Sequence, residues 1–190
     1  MVLAAGRSER MGTPKQLLPL RGKPALRRTI EALVQGGITR AVAVLPPESP
    51  EMENVLAGLP VILVHNAIPR SEMADSVRIG LSEVDSGATG VLIAPADHPL
   101  VSAGTVHTLC TLHRSIPGRI LMPTYGGRRG HPTLFPQSLL RGLSPGLTLR
   151  DVLRQNAGDV QAVDVPDEGV VLDMDTPADY ERLKTLARSA

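Results

Sequence analysis

Leu3-Ala-Ala-Gly-Arg-Ser-Glu-Arg-Met-Gly-Thr-Pro-Lys15 is the segment on which the prediction of the fold depends. The apolar residues Met1 to Ala4 predict a short first strand, which passes directly into a loop rich in glycine and basic residues. Glycine allows backbone conformations that turn several N–H groups toward one point, and the arginines and lysine add positive charge. The segment is therefore typical of an anion cradle, with an ordinary basic loop as the alternative.

The first strand is short for its class. Only about four residues precede Gly6, whereas strands commonly have five or six. We therefore expect either that a residue or two belonging to this strand lies upstream of Met1 or that the start of the chain is wrongly assigned.

Composition limits the class of protein. A chain of 190 residues fits one domain, spanning residues 1–190. The net charge is +1, and the sequence has no basic stripe of the kind found in nucleic-acid-binding proteins. Its single cysteine, Cys110, excludes an intramolecular disulfide. With no apolar leader and no run long enough to span a membrane, we expect a cytoplasmic protein without nucleic-acid or membrane partners.

Strands and helices alternate along the chain. A helical apolar periodicity begins at Ala25, the apolar run Ala41 to Leu45 predicts a buried parallel strand, and Ser49-Pro50 predicts the start of the next helix. The same alternation continues to the last helix, which opens at Thr176-Pro177. The sequence thus predicts an α/β fold: a single-domain, three-layer αβα, doubly wound and mostly parallel sheet.

Carboxylates follow two of the predicted strands. Asp97 comes after the apolar run from Gly90, and Asp173 and Asp175 come after a strand predicted from Gly169. Ligands of open parallel sheets bind beyond the carboxyl ends of the strands, and carboxylates near phosphates suit Mg²⁺. For Asp97 the alternative is a turn residue before Pro99, and His98 is interpreted as a turn residue rather than a ligand.

Two further polar loops are candidate binding segments. The loop from Asn66 to Ser76 follows a strand predicted from Val61 to Val64, although Ser71, Asp75 and Ser76 are also explained as helix N-caps. Arg128, Arg129 and His131 lie in a glycine-rich loop that either binds an anion or forms a solvated turn.

The opening segment resembles the LAAGxSxRMGxxK signature of the MobA-like nucleotidyltransferase superfamily. Later segments are similar, in the same order, to those of its molybdenum cofactor cytidylyltransferase (MocA-type) branch; they are Ser76–Leu81, Ala96–Pro99, Arg129–Pro132 and Asp173–Asp179. The resemblance extends over essentially the whole chain. It departs at Ala96, where typical members have glycine before the metal-binding aspartate.

The resemblance implies a role for each matching residue. Arg10 and Lys15 would contact the phosphates, and Asp97 and Asp175 would bind Mg²⁺, with Asp173 the alternative second ligand. Arg129 and His131 would face the acceptor. The residues implied to bind the nucleoside triphosphate are Leu3, Ala4, Ala5, Gly6, Arg7, Ser8, Met11, Gly12, Lys15, Asn66 and Ser76.

The resemblance also implies a reaction: transfer of a nucleotide, CMP from CTP in this branch, to the terminal phosphate of molybdopterin, with release of pyrophosphate. A molybdoenzyme or its maturation chaperone would then be a protein partner. Two alternatives stay open. The first is another nucleotidyl transfer, either to a sugar phosphate or methylerythritol phosphate, or of a guanylyl group to molybdopterin. The second is a non-catalytic protein that binds a nucleotide or the cofactor. The loop matches neither GxxxxGK[ST] nor GxGxxG, which disfavours a kinase or a dehydrogenase.

Overall fold

The computed structural model describes residues 1–6 and 8–189. Its strands are β1 (Val2–Leu3), β2 (Pro19–Leu20), β3 (Lys23–Pro24), β4 (Ala41–Leu45), β5 (Val61–His65), β6 (Gly90–Pro95), β7 (Ile120–Tyr125), β8 (Arg128–Arg129), β9 (Thr133–Pro136) and β10 (Val160–Asp164). Its α-helices are α1 (Ala25–Gln35), α2 (Pro50–Leu56), α3 (Met73–Leu81), α4 (Ala103–Ser115), α5 (Gln137–Leu140), α6 (Leu149–Gln155) and α7 (Pro177–Ser189). Short 3₁₀ helices cover Glu9–Met11, Lys15–Leu17, Ala157–Asp159 and Glu168–Val171.

The main sheet has the strand order β10-β7-β9-β6-β1-β4-β5, with β8 paired to β7. Strand β9 runs antiparallel to β6 and β7, and β8 runs antiparallel to β7, whereas the other pairs are parallel. The mostly parallel α/β sheet predicted from the sequence is confirmed.

Helices cover both faces of this sheet because the side chains of a buried strand alternate between them. In β4, Ala43 and Leu45 pack in the cluster that includes Leu26 of α1, whereas Val44 packs with Val77 of α3. All five residues of β4 are buried, which explains the continuous apolar run in the sequence.

The topology places the loops after β1 and β6 side by side. From β1 the chain moves outward to β4 and β5, then returns to the other side of β1 to form β6. At such a reversal of strand order, the two diverging loops leave a crevice beyond the carboxyl ends of the strands. The glycine-rich loop and the segment containing Asp97 therefore meet at the edge where a ligand would bind.

One predicted strand is wrong. The segment from Gly169 was expected to be a strand leading to Asp173, but Glu168–Val171 forms a 3₁₀ helix. Asp167 accepts a hydrogen bond from the N–H of Gly169 at 3.0 Å, and Val170 is fully buried against neighbouring valines. The apolar run is therefore explained by burial rather than by sheet pairing.

The C-terminal helix α7 packs on the small β2–β3 hairpin. Its Leu183 lies in a cluster with Leu20, Leu172 and Met174. Met174 thus anchors the segment that carries Asp173 and Asp175. Over residues 1–6 and 8–189, no helix is both long and apolar enough to cross a membrane.

Candidate active site

Lys15 is the centre of a charge cluster at this edge. Its Nζ donates hydrogen bonds to Oδ2 of Asp97 at 2.8 Å and to Oδ1 of Asp175 at 2.7 Å. Its side chain is only 12% exposed. Three segments far apart in sequence, which follow β1, β6 and the Glu168–Val171 helix, thus converge on one ammonium group.

Arg10 extends the cluster toward solvent. One of its guanidinium nitrogens lies 2.6 Å from Oδ2 of Asp175, and its side chain is 69% exposed. Asp175 therefore accepts from Lys15 with one oxygen and from Arg10 with the other. Such an exposed ion pair contributes little to stability, so Arg10 is available to a ligand.

Asp175, rather than Asp173, faces Lys15. Asp173 is exposed, Met174 between them is buried, and Asp175 is half-buried. The N–H of Met174 donates to the carbonyl of Asp97 at 2.9 Å, which joins the two acidic segments through their backbones.

The charges within the cluster shift the pKa values of its members. Burial raises the pKa of Asp97, but the hydrogen bond and charge of His98 and the charge of Lys15 more than offset it and hold that pKa well below its usual range. Burial likewise lowers the pKa of Lys15, and the charges of Asp97 and Asp175 overcome it, so the net shift is upward. Both groups are therefore ionised at neutral pH.

Gln16 organises the glycine-rich loop. It is almost fully buried, and its Nε2 donates to the carbonyls of Ala4 at 2.9 Å and Gly6 at 3.1 Å. Its Oε1 accepts from Oγ of Ser8 at 3.1 Å, and Oγ of Ser8 in turn accepts from the N–H of Lys15 at 3.2 Å. We did not identify Gln16 from the sequence. Its signal was a polar amide within an otherwise apolar run, directly after Lys15.

The loop backbone has the left-handed conformations expected of a cradle. Ser8 has φ 52° and Gly12 has φ 66°. They flank the short helix Glu9–Met11, in which Met11 is half-buried. Arg7, also predicted to bind nucleotide, lies outside the described residues.

Beside this loop is a cavity of about 170 Å³. Five residues predicted to bind nucleotide line it, together with Asp97, one of the two carboxylates that contact Lys15; the five are Leu3, Ala5, Gly6, Lys15 and Ser76. Ala4 is buried beneath the loop, where its carbonyl accepts from Gln16. The cavity also reaches Glu72 and Met73 at the start of α3.

Asn66 and Ser76 form a buried pair at this cavity. Nδ2 of Asn66 donates to Oγ of Ser76 at 2.9 Å, and Oδ1 of Asn66 accepts from the N–H of Ile68 at 3.0 Å. Ser76 is therefore not the N-cap considered from the sequence. Glu72 occupies that position and forms a capping box with Asp75.

The two predicted acceptor residues lie in different environments. Arg129 is exposed on β8 and has no side-chain hydrogen bond within residues 1–6 and 8–189. The His131 ring instead packs edge-to-face on the His98 ring, with centroids 4.9 Å apart. Burial and the nearby His98 charge lower the pKa of His131 to about 4. The structure thus brings His131 next to the Asp97 segment, whereas no side-chain hydrogen bond or ion pair joins Arg129 to that segment among the described residues.

Comparison with known proteins agrees with this arrangement. The family described as the MobA-like NTP transferase domain matches residues 1–160. Nicotine blue oxidoreductase of Paenarthrobacter nicotinovorans is 31% identical, over 96% of this chain and 94% of that protein. A 2-C-methyl-D-erythritol 4-phosphate cytidylyltransferase of Frankia casuarinae is 29% identical over 96% of this chain, which spans only 60% of that relative's length.

A solved structure has the same architecture. Rv0371c from Mycobacterium tuberculosis H37Rv, determined also as a complex with manganese, superposes with TM-scores of 0.82 and 0.78. The two structures share 30% and 27% identity with this chain, and each comparison covers 97% of this chain and 95% of the other. Given the family match over most of its length, this chain belongs to the MobA-like NTP transferase domain family.

Proposed function

We propose that this protein is a divalent-metal-dependent nucleotidyltransferase that transfers CMP from CTP to the terminal phosphate of molybdopterin and releases pyrophosphate. The observation that carries the proposal is the convergence of Lys15, Asp97 and Asp175 beside a cavity lined by the glycine-rich loop. The carboxylate pair and the basic loop are together what a metal–triphosphate complex requires.

The donor set suits Mg²⁺ or Mn²⁺. Oδ2 of Asp97 and Oδ1 of Asp175 face one point, because both lie within 2.8 Å of the same Lys15 nitrogen. Hard divalent cations prefer such oxygen ligands, supplemented by phosphate oxygens and water. When bound, the metal would polarise the α-phosphate and offset its negative charge.

The reaction needs no protein nucleophile. An oxygen of the acceptor's terminal phosphate attacks the α-phosphorus, a new P–O bond forms, and the bond to the β-phosphate oxygen breaks to release pyrophosphate. Lys15 and Arg10 would turn from the carboxylates to the β- and γ-phosphates, where they stabilise the developing charge. Arg129, exposed and without a side-chain partner within the described chain, would bind the acceptor's phosphate.

An oxidoreductase is the second candidate, because a relative 31% identical over nearly the whole chain has that name. Electron transfer from a reduced nicotinamide or flavin would not need the Asp97–Asp175 pair. The carboxylate pair therefore favours nucleotidyl transfer.

One set of incubations tests both candidates. The protein is mixed with Mg²⁺, each nucleoside triphosphate in turn and either molybdopterin or another phosphorylated acceptor, and pyrophosphate is measured. We expect release with CTP and molybdopterin, whereas release only with GTP or another acceptor would reassign the substrates. A parallel series follows oxidation of reduced nicotinamide and flavin with dye acceptors. Oxidation without pyrophosphate release would support the oxidoreductase, and neither activity would support a binding protein.

A further inference from the structure

His98 contacts the side of the Asp97 carboxylate that faces away from Lys15. Its Nδ1 lies 2.9 Å from Oδ1 of Asp97, while Oδ2 of the same carboxylate accepts from Lys15. The His98 side chain is only 12% exposed. Both oxygens of Asp97 are therefore held, and the plane of the carboxylate is set by two partners.

The contact defines which nitrogen of His98 carries a proton. An ionised carboxylate only accepts hydrogen bonds, so the Nδ1–H of His98 must be the donor. Exchange of Lys15 for a metal at Oδ2 would leave this donor in place at Oδ1. His98 thus keeps Asp97 oriented when Lys15 leaves.

His131 in turn restrains the ring of His98. The two rings meet at an interplanar angle of 71°, and the low pKa of His131 leaves its own ring uncharged at neutral pH. The backbone at His131 is fixed: the N–H of His131 donates to the carbonyl of Val170 at 2.8 Å, and that of Gly130 donates to the carbonyl of Pro123 at 2.8 Å. His131 is therefore a firm support for His98.

We propose that His98 is a positioning residue that orients the Asp97 carboxylate through its Nδ1–H, and that the ring of His131 holds His98 in that orientation. This inference rests on the proposed function, since it takes Asp97 as a metal ligand. It gives His131 a different role from the acceptor contact expected from the sequence.

Three variants of His98 separate the donor from the bulk of the ring. In His98→Asn the amide nitrogen is bonded to Cγ, as Nδ1 is in histidine, so an N–H donor is kept at nearly the same place. His98→Gln moves the N–H donor one bond further from the backbone, and His98→Ala removes the donor. Hydrogen-bond partners of metal ligands typically affect metal affinity or activity by roughly 10–100-fold. We expect such a loss for His98→Gln and His98→Ala, and affinity close to that of the unaltered chain for His98→Asn.

The readouts are Mn²⁺ binding, measured by the paramagnetic resonance of the free ion, and binding of the Mn²⁺–CTP complex, measured by calorimetry. Neither requires turnover. The exposed His107 on α4 gives the control His107→Asn, and thermal unfolding establishes that each variant is folded.

His131→Phe and His131→Ala test the second part of the inference. Phenylalanine keeps a ring against His98, so Mn²⁺ affinity should be retained, whereas alanine should weaken it. Unchanged Mn²⁺ affinity in both variants, with a raised KM for the acceptor, would return His131 to an acceptor role and overturn its part of the inference.

The outcomes for the proposed function and for this inference differ. If the unaltered chain binds neither Mn²⁺ nor its CTP complex, the metal-dependent function fails and the inference fails with it. If it binds both, and folded His98→Ala binds equally well, only the inference fails. Loss in His98→Asn as large as in His98→Ala would also contradict the role of the donor.

Discussion

At the scale of single residues, Lys15 has two competing partners, the carboxylates and the proposed phosphates. Lys15→Met keeps the length of the side chain and removes its charge. We expect kcat to fall by roughly 100- to 1,000-fold, comparable to the loss of one oxyanion-stabilising donor. Mn²⁺ should bind this variant more tightly in the absence of nucleotide, because Asp97 and Asp175 lose the ammonium that lies between them.

Steady-state kinetics and a Mn²⁺ titration check both effects. Lys184→Met, which removes a partly exposed lysine on α7, is the matched control and should change neither. An unchanged kcat with a higher KM would assign Lys15 to ground-state binding instead.

Gln16 stabilises the backbone of the glycine-rich loop through its side-chain hydrogen bonds. Gln16→Leu would leave the carbonyls of Ala4 and Gly6 without their donor, at a cost of roughly 1–3 kcal/mol for buried polar groups. We expect a lower unfolding free energy in urea and a higher KM for the triphosphate. Gln161→Leu, at an exposed position of β10, should change neither quantity. Equal KM values for the two variants would show that the loop keeps its shape without Gln16.

At the scale of elements, the turn between β8 and β9 depends on a close backbone approach. A Cβ built on Gly130 would lie 2.3 Å from the carbonyl oxygen of Val170, so Gly130→Ala must displace one of the two segments. Because overpacking of this kind costs about 1–3 kcal/mol, the unfolding midpoint should fall and Mn²⁺ binding should weaken through His131. Gly118→Ala has open space around its Cβ and serves as the control. Similar midpoints for the two variants would refute this account.

The elements also indicate how much of the fold the sequence could predict. The buried strand Ala41–Leu45 and the capped helices were readable, since their apolar periodicity and caps are local signals. The 3₁₀ helix Glu168–Val171 was not, because its apolar run is buried by contacts with Val163 and Val165. The antiparallel insertion of β9 between β6 and β7 depends on tertiary pairing, which a single sequence does not specify.

The same distinction applies to the candidate site. The signature loop and the acids after the strands were visible as residue types at strand ends. The direct contacts of Lys15 with Asp97 and Asp175 join positions 82 and 160 residues apart. His98 was interpreted as a turn residue because Mg²⁺ prefers oxygen ligands. Its contact with the ring of His131 could not be predicted, because only the folded sheet brings the two rings together.

At the scale of the whole molecule, two sheltered histidines link stability to pH. Burial lowers the pKa of His131 to about 4 and also lowers that of His113, although a hydrogen bond with Thr89 opposes the second shift. Within the described chain, the Nδ1 atom of each is buried without a hydrogen-bond partner. Unfolding releases both rings to water, where they take up a proton below the ordinary value of 6.5. The unfolded state then binds more protons than the folded state, so stability falls as pH falls from 6.5 toward 4.

His131→Phe isolates the contribution of one ring. At pH 7.5 the unaltered chain and the variant both carry no charge at this position. At pH 4.5 protonation favours the unfolded form of the unaltered chain. Because the pKa of His131 is lowered from 6.5 to about 4, the unfolding free energy of the variant relative to that of the unaltered chain should rise by up to about 3 kcal/mol between pH 7.5 and pH 4.5. Urea unfolding at a series of pH values measures this difference, and His107→Phe, at an exposed position, should show no such change with pH. Parallel curves for His131→Phe and the unaltered chain would mean that His131 takes up a proton as readily in the folded chain as in the unfolded chain. Its packing against His98 and the Val170 segment argues against that result.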